Sequence, residues 1–175
     1  MAKELTVYLD IDGTLLPLPN EGDPLPPEQG GWRGGYSILA YGSMPIPYAP
    51  ELIDRLNALE ASGRVRFHWS TSWQPHLSKD VAELLGLDGV GWPALVPKQG
   101  QALAYSWKLA AIARDQAGRR PAGKFVWLDD DTYRSSAARE WVEQVGGHWI
   151  SPPPASGILP AHVELIERLA GTLDV

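Results

Sequence analysis

Leu5-Thr6-Val7-Tyr8-Leu9-Asp10-Ile11-Asp12-Gly13-Thr14 is the stretch that decides the fold. Its first half is a short apolar run of the kind that forms a strand covered on both faces. Its second half places two carboxylates at the strand's carboxyl end, beside a Gly-Thr turn. In an open α/β sheet, ligands bind outside the carboxyl ends of the strands. Carboxylates at such a place need a partner, a metal or a chemical task.

Working outward, the same pattern returns. Arg64-Val65-Arg66-Phe67-His68-Trp69 reads as a second strand and ends in the hydroxyl cluster Ser70-Thr71-Ser72. Ala94-Leu95-Val96 reads as a short third strand. Lys124-Phe125-Val126-Trp127-Leu128 reads as a fourth and ends in Asp129-Asp130-Asp131, and His148-Trp149-Ile150 reads as a last short strand. Helices are expected between them. One starts at Pro50 with the stripe Leu52, Ile53, Leu56 and Leu59 and stops at Gly63. One is capped by Ser78 and runs to Leu85, and one is capped by Ser106 and runs to about Ala117. One starts at Ser135 or Ser136, and one starts at Pro160. Alternating strands and helices imply α/β architecture with a mostly parallel sheet and right-handed crossovers.

The segment from about Leu15 to Ala49 breaks this rhythm. Pro17, Pro19, Pro24, Pro26, Pro27, Pro45 and Pro47 forbid a helix there. Tyr36 to Tyr41 suits one arm of a small hairpin. The whole chain, residues 1–175, is expected to be one domain, with this stretch as a flap or minimal cap.

Composition narrows the partners. The net charge of −6 argues against a non-specific nucleic-acid binder, which needs a basic footprint. There is no cysteine, so disulfides, zinc-thiolate sites and a cysteine nucleophile are excluded. No run approaches the roughly 18 apolar residues of a membrane span, and no leader pattern precedes the first strand, so the cytoplasm is the default location. Among the eight tryptophans, Trp69, Trp127 and Trp149 belong to strand-like runs, whereas Trp32 and Trp73 fall in loops. His68, His148 and His162 are expected to be structural.

The reactive residues converge by topology. Strand carboxyl ends and the amino ends of the following helices share one face of the sheet. Lys108, in the first turn of its helix, is misplaced with respect to the helix dipole unless an anion sits beside it. Clustered carboxylates are hard oxygen ligands that suit Mg²⁺. A carboxylate nucleophile, hydroxyls and a lysine are what phosphoryl transfer uses.

In this order, Asp10-Ile11-Asp12-Gly13-Thr14, Thr71, Lys108 and Asp129-Asp130 resemble the four motifs of the haloacid dehalogenase superfamily of phosphatases. The anchors cover roughly residues 5 to 135. The resemblance implies a Rossmann-like three-layer sandwich with sheet order 5-4-1-2-3, counting the expected sheet strands along the chain. It implies that Asp10 is the nucleophile and that Asp12 protonates the leaving group and then activates water. Mg²⁺ would be held by Asp10, the Asp12 backbone carbonyl and Asp130, with Asp129 supporting the metal or orienting the lysine. Thr71 and Lys108 would hold the phosphate.

Ser70 and Ser72 compete with Thr71, which is favoured because it follows the apolar run. Lys98 competes with Lys108, which is favoured because its helix feeds the fourth strand. Asp131 competes as a metal ligand. No large cap fits between Trp73 and Trp107, so the member is capless or minimally capped. Its entrance would be lined from Trp32, Arg33, Trp73, Gln74 and His76, with Trp32 and Trp73 as substrate contacts. The expected partner is a phosphorylated substrate, with no nucleic acid and no membrane. The competing readings are a catalytically silent binding module and a metal-dependent nuclease. A phospho-receiver has its acidic pair in the wrong order, and a dehalogenase does not need the acidic fourth motif.

Overall fold

The computed structural model describes residues 4–19, 31–73, 75–98, 106–119, 124–130 and 136–172. Gln74, Asp131, Ser135 and the prolines at 24, 26 and 27 lie outside them. The sheet strands are β1 (Leu5–Leu9), β4 (Val65–Trp69), β5 (Phe125–Leu128) and β6 (His148–Ile150). They are all parallel, in the order β4-β1-β5-β6. The expected order holds for these four. The expected strand at Ala94–Val96 is reduced to one parallel bridge, from Ala94 to Trp69. Pro93 and Pro97 flank it and supply no N–H, so the ladder stops after the Leu95 N–H donates to the Trp69 carbonyl at 2.8 Å.

Every residue of β1 and β5 is buried, which is why both read as continuous apolar runs. Side-chain alternation divides β1 between two cores. Leu5, Val7 and Leu9 join the core packed by α1 (Pro50–Ala61), α2 (Pro75–Leu85) and α5 (Pro160–Gly171). Tyr8 joins the core packed by α3 (Ser106–Ala117) and α4 (Ser136–Gln144). Helices on both faces make the three-layer sandwich. Among the described residues no helix is long and apolar enough to cross a membrane.

Two helix starts differ from expectation. α2 opens at Pro75, so Ser78 lies inside the helix and is fully buried instead of capping it. Proline at the first helical position is itself a start signal. α3 opens at Ser106, one residue before the expected first helical position.

The Pro-rich segment contains a hairpin of β2 (Ser37–Tyr41) and β3 (Met44–Tyr48). Gly42, at φ +62, takes the first central place of its two-residue turn. Pro45 and Pro47 alternate along β3, so one edge of that strand carries neither of their N–H groups and cannot template a further strand there.

Two arrangements hold the elements that carry the site. At β4, Phe67 stacks on Trp92 with centroids 4.6 Å apart, Trp69 lies 4.9 Å from Trp92, and the Trp69 indole donates to the Gly89 carbonyl at 3.0 Å. At the end of α3, Tyr8 Oη donates to Asp115, Gln116 donates to Tyr8 Oη at 2.7 Å, and Arg119 bridges Asp115 and Thr6 at 2.9 and 2.8 Å. Hydrogen bonds of this kind contribute about 1 kcal/mol each, more where a charge takes part. Together they fix α3 along β1.

Candidate active site

Four elements end at one place. β1 ends in Asp10, whose N–H donates to the Leu128 carbonyl at 3.0 Å, so the ends of β1 and β5 are tied together. β4 ends in Ser70, whose N–H donates to the Leu9 carbonyl at 2.8 Å. β5 ends in Asp129 and Asp130. The first turn of α3 brings Lys108.

Lys108 is the hub. Its Nζ lies 2.7 Å from Asp129 Oδ2 and 3.0 Å from Asp10 Oδ2, and all three side chains are buried. The Trp127 indole also donates to Asp129 Oδ2, at 3.3 Å. Two of the three ammonium donors are thereby directed at carboxylates. The rival Lys98 is exposed, whereas Lys108 is buried.

Carboxylate oxygens of Asp10, Asp129 and Asp130 lie within 4.8 Å of one another, a grouping suited to a cation. Burial pushes Asp10 up to about 7. Lys108 opposes the shift and the Asp129 charge adds to it. Burial pulls the Lys108 ammonium down, but Asp10 and Asp129 outweigh that effect and raise it overall. With all three carboxylates ionised against one ammonium, the local charge would be −2. One divalent cation would neutralise that charge and hold Asp10 ionised. The donor set is all oxygen, which fits a hard cation.

The Gly13-Thr14 pair has a physical job. Gly13 sits at φ +67, and a Cβ there would overlap the Asp130 carboxylate. Thr14 Oγ1, fully buried, accepts the Asp130 N–H at 2.9 Å. The turn after β1 therefore makes room for Asp130 and holds its backbone. The Thr14 carbonyl in turn accepts the Ile158 N–H at 2.9 Å.

Asp12 stands apart from the carboxylate group. It is partly exposed, and its Oδ2 accepts the Trp73 indole N–H at 2.7 Å. The sequence marks Trp73 as a loop aromatic suited to a substrate contact and carries no signal that it bonds to Asp12. Thr71 is buried and its Oγ1 accepts the Trp73 N–H at 3.3 Å. Ser70 is also buried, and its Oγ has no hydrogen-bond partner among the described residues, whereas Ser72 is exposed. Thr71 and Ser70 are thus the two buried hydroxyls after β4.

Trp32 departs from expectation. It is 3% exposed, packs in the larger core, and donates its indole N–H to the Ile158 carbonyl at 3.0 Å. It does not line the entrance. Arg33 and His76 are exposed. His68 is buried against Tyr8 and Arg119, and His162 Nδ1 accepts the Leu159 N–H at the start of α5.

A family model described as "HAD domain in Swiss Army Knife RNA repair proteins" matches residues 6–163. No curated protein matches the chain. The match spans both ends of the sheet and every residue of the site. The chain therefore belongs to this family of HAD domains and carries a haloacid dehalogenase-type hydrolase fold.

Proposed function

We propose that the protein is a Mg²⁺-dependent phosphomonoester hydrolase working through an aspartyl phosphate on Asp10. The observation that carries this reading is Lys108 Nζ bridging Asp10 and Asp129, with Asp130 in the same carboxylate group. That arrangement offers a nucleophile, a cation site and a phosphate-binding ammonium side by side.

Asp10 attacks the phosphorus and the bond to the leaving oxygen breaks. The leaving oxygen takes a proton from Asp12. Water then attacks the phosphoenzyme, Asp12 takes its proton, and inorganic phosphate leaves with Asp10 regenerated as carboxylate. Lys108, with Thr71 or Ser70, holds the phosphoryl oxygens. Asp10, Asp130 and the Asp12 backbone carbonyl would hold Mg²⁺, which supplies positive charge for those oxygens. Asp129 keeps Lys108 in place.

The family description names RNA repair proteins, which favours one substrate reading among phosphomonoesters: the terminal phosphate of a polynucleotide. The net charge of −6 favours substrates without a long phosphate backbone, so a polynucleotide would be met at its end and not along a basic track.

The test is hydrolysis of p-nitrophenyl phosphate with Mg²⁺, with EDTA, and by Asp10→Asn. Turnover is expected to need the metal and to fall by at least about 10³-fold in the variant, in line with removal of a group that forms the covalent intermediate. Acid quenching with ³²P-labelled substrate should label the wild type and not Asp10→Asn. Undiminished turnover by the variant would overturn the nucleophile assignment. A panel of terminally phosphorylated oligonucleotides, nucleotides and sugar phosphates then separates the substrate readings.

A further inference from the structure

Asp12 lies outside the carboxylate group that Lys108 organises. A residue from another part of the chain reaches it, the Trp73 indole, at 2.7 Å from Oδ2. Trp73 is itself held at two further points. Its backbone N–H donates to Thr71 Oγ1 at 3.3 Å. Its ring meets that of Tyr41, the last residue of β2, with centroids 6.4 Å apart and planes at 44°. The loop after β4 and the hairpin thus brace one ring whose polar atom is directed at Asp12.

An indole N–H donates and does not accept, and it does not exchange its proton in ordinary acid–base chemistry. It offers a single donor, so it can fix one oxygen of a carboxyl group and leave the other open. We infer that Trp73 is a positioning residue for the acid/base step, its indole fixing Asp12 Oδ2 so that Oδ1 carries the proton, with the β2–β3 hairpin setting the ring through Tyr41. This inference rests on the phosphatase reading above.

The consequence is a dependence on the leaving group. When the P–O bond to an alkoxide breaks, the departing oxygen must receive the Asp12 proton. A p-nitrophenolate leaves without it. Phosphoenzyme hydrolysis uses Asp12 as base for either substrate, because the attacking water gives up a proton as its bond to phosphorus forms and the Asp10–phosphorus bond breaks.

The experiment compares wild type, Trp73→Phe, Asp12→Asn and the double variant on an alkyl phosphomonoester and on p-nitrophenyl phosphate, with Mg²⁺. Trp73→Phe keeps a ring against Tyr41 and removes the donor. Its kcat/KM for the alkyl ester should fall by at least about tenfold, a part of the roughly 10²–10⁴-fold that acid–base catalysis supplies. The loss in kcat/KM for the aryl ester should be clearly smaller. With the aryl ester, the variant should show a burst of p-nitrophenol and accumulate acid-stable phosphoenzyme. In the Asp12→Asn background, Trp73→Phe should cost little more, because it acts through Asp12.

Equal losses on both esters with a raised KM would make Trp73 a substrate contact and overturn the inference, as would additive losses in the double variant. Should Trp73→Phe fail to fold, Tyr41→Ala leaves the indole and removes its brace. It should give the same alkyl-selective loss at smaller size, and an equal loss on both esters would again overturn the inference. A wild type without Asp10-dependent phosphoenzyme removes the phosphatase reading itself, a distinct failure.

Discussion

Asp10 and Asp12 are two residues apart and sit in opposite surroundings. Asp10 is buried, tied to the end of β5 through its backbone, and paired with the Lys108 ammonium. Asp12 is partly exposed and takes its hydrogen bond from a neutral indole. The contrast fits the two proposed tasks. A nucleophile that also holds a cation must stay ionised, so a positive partner suits it. A group that must give a proton and then take one needs its carboxyl held in place with one oxygen left open, which a single neutral donor does. Splitting two carboxylates by environment is the general route to dividing acid/base work. Here the split follows from which element supplies each partner: a helix packed on the sheet for Asp10, and a loop braced by a hairpin for Asp12.

Removing Lys108 should break the Asp10 side of this contrast most severely. Lys108→Met keeps the length and removes the charge, leaving Asp10 and Asp129 buried without their ammonium. Breaking a buried pair in this way costs about 3–5 kcal/mol. Losing a preorganised charge at the phosphoryl oxygens should cost about 10²–10³ in kcat. Without Lys108 the carboxylates have a stronger need for a cation, so Mg²⁺ should raise the melting temperature of the variant more than that of the wild type. Thermal melts with Mg²⁺ and with EDTA check this. A variant as stable as wild type in EDTA would mean that the three charges are not coupled.

Gly13→Ala should come next. A side chain at φ +67 costs on the order of 1–2 kcal/mol, and the new Cβ must displace the Asp130 carboxylate. The expected signature is a raised Mg²⁺ requirement, with half-maximal activity at higher metal concentration, beyond any loss of stability. Titrating activity against Mg²⁺ separates the two effects. An unchanged metal requirement would remove Asp130 from the ligand set.

The buried side of the contrast was legible in the sequence because burial leaves a pattern. β1 and β5 are covered on both faces, so they read as apolar runs, and the acids that end them stand out. Lys108 was legible because a cation in a first helical turn is unfavourable on its own. The braced side leaves no such pattern. Trp73 and Trp32 look alike as loop tryptophans, yet one reaches Asp12 and the other fills the core through a bond to Ile158, more than a hundred residues away. A loop aromatic has no periodicity to say which way it faces. β3 carries no strand signature for a related reason: Pro45 and Pro47 demote a strand, and only the pairing with β2 shows that both fall at alternate positions the ladder tolerates. Ser78 fits the pattern of a helix cap, but Pro75 had already opened the helix.

The smallest expected effect tests how the braced side is built. Tyr41 offers Trp73 a ring and offers Asp80 a hydroxyl, the latter a solvent-exposed contact at 3.3 Å. If the hairpin acts on Asp12 through ring contact, the hydroxyl should be dispensable. Tyr41→Phe should then melt with the wild type and keep the same ratio of alkyl to aryl phosphate hydrolysis. Exposed polar contacts of this length add little, because water replaces them at almost no cost. A shift in that ratio would mean that the hairpin is positioned through α2, which carries Asp80, instead of through the aromatic pair. The brace would then depend on charge and should weaken with salt, whereas ring contact should be indifferent to it. Measuring the ratio for wild type at low and high ionic strength decides between the two without any further variant.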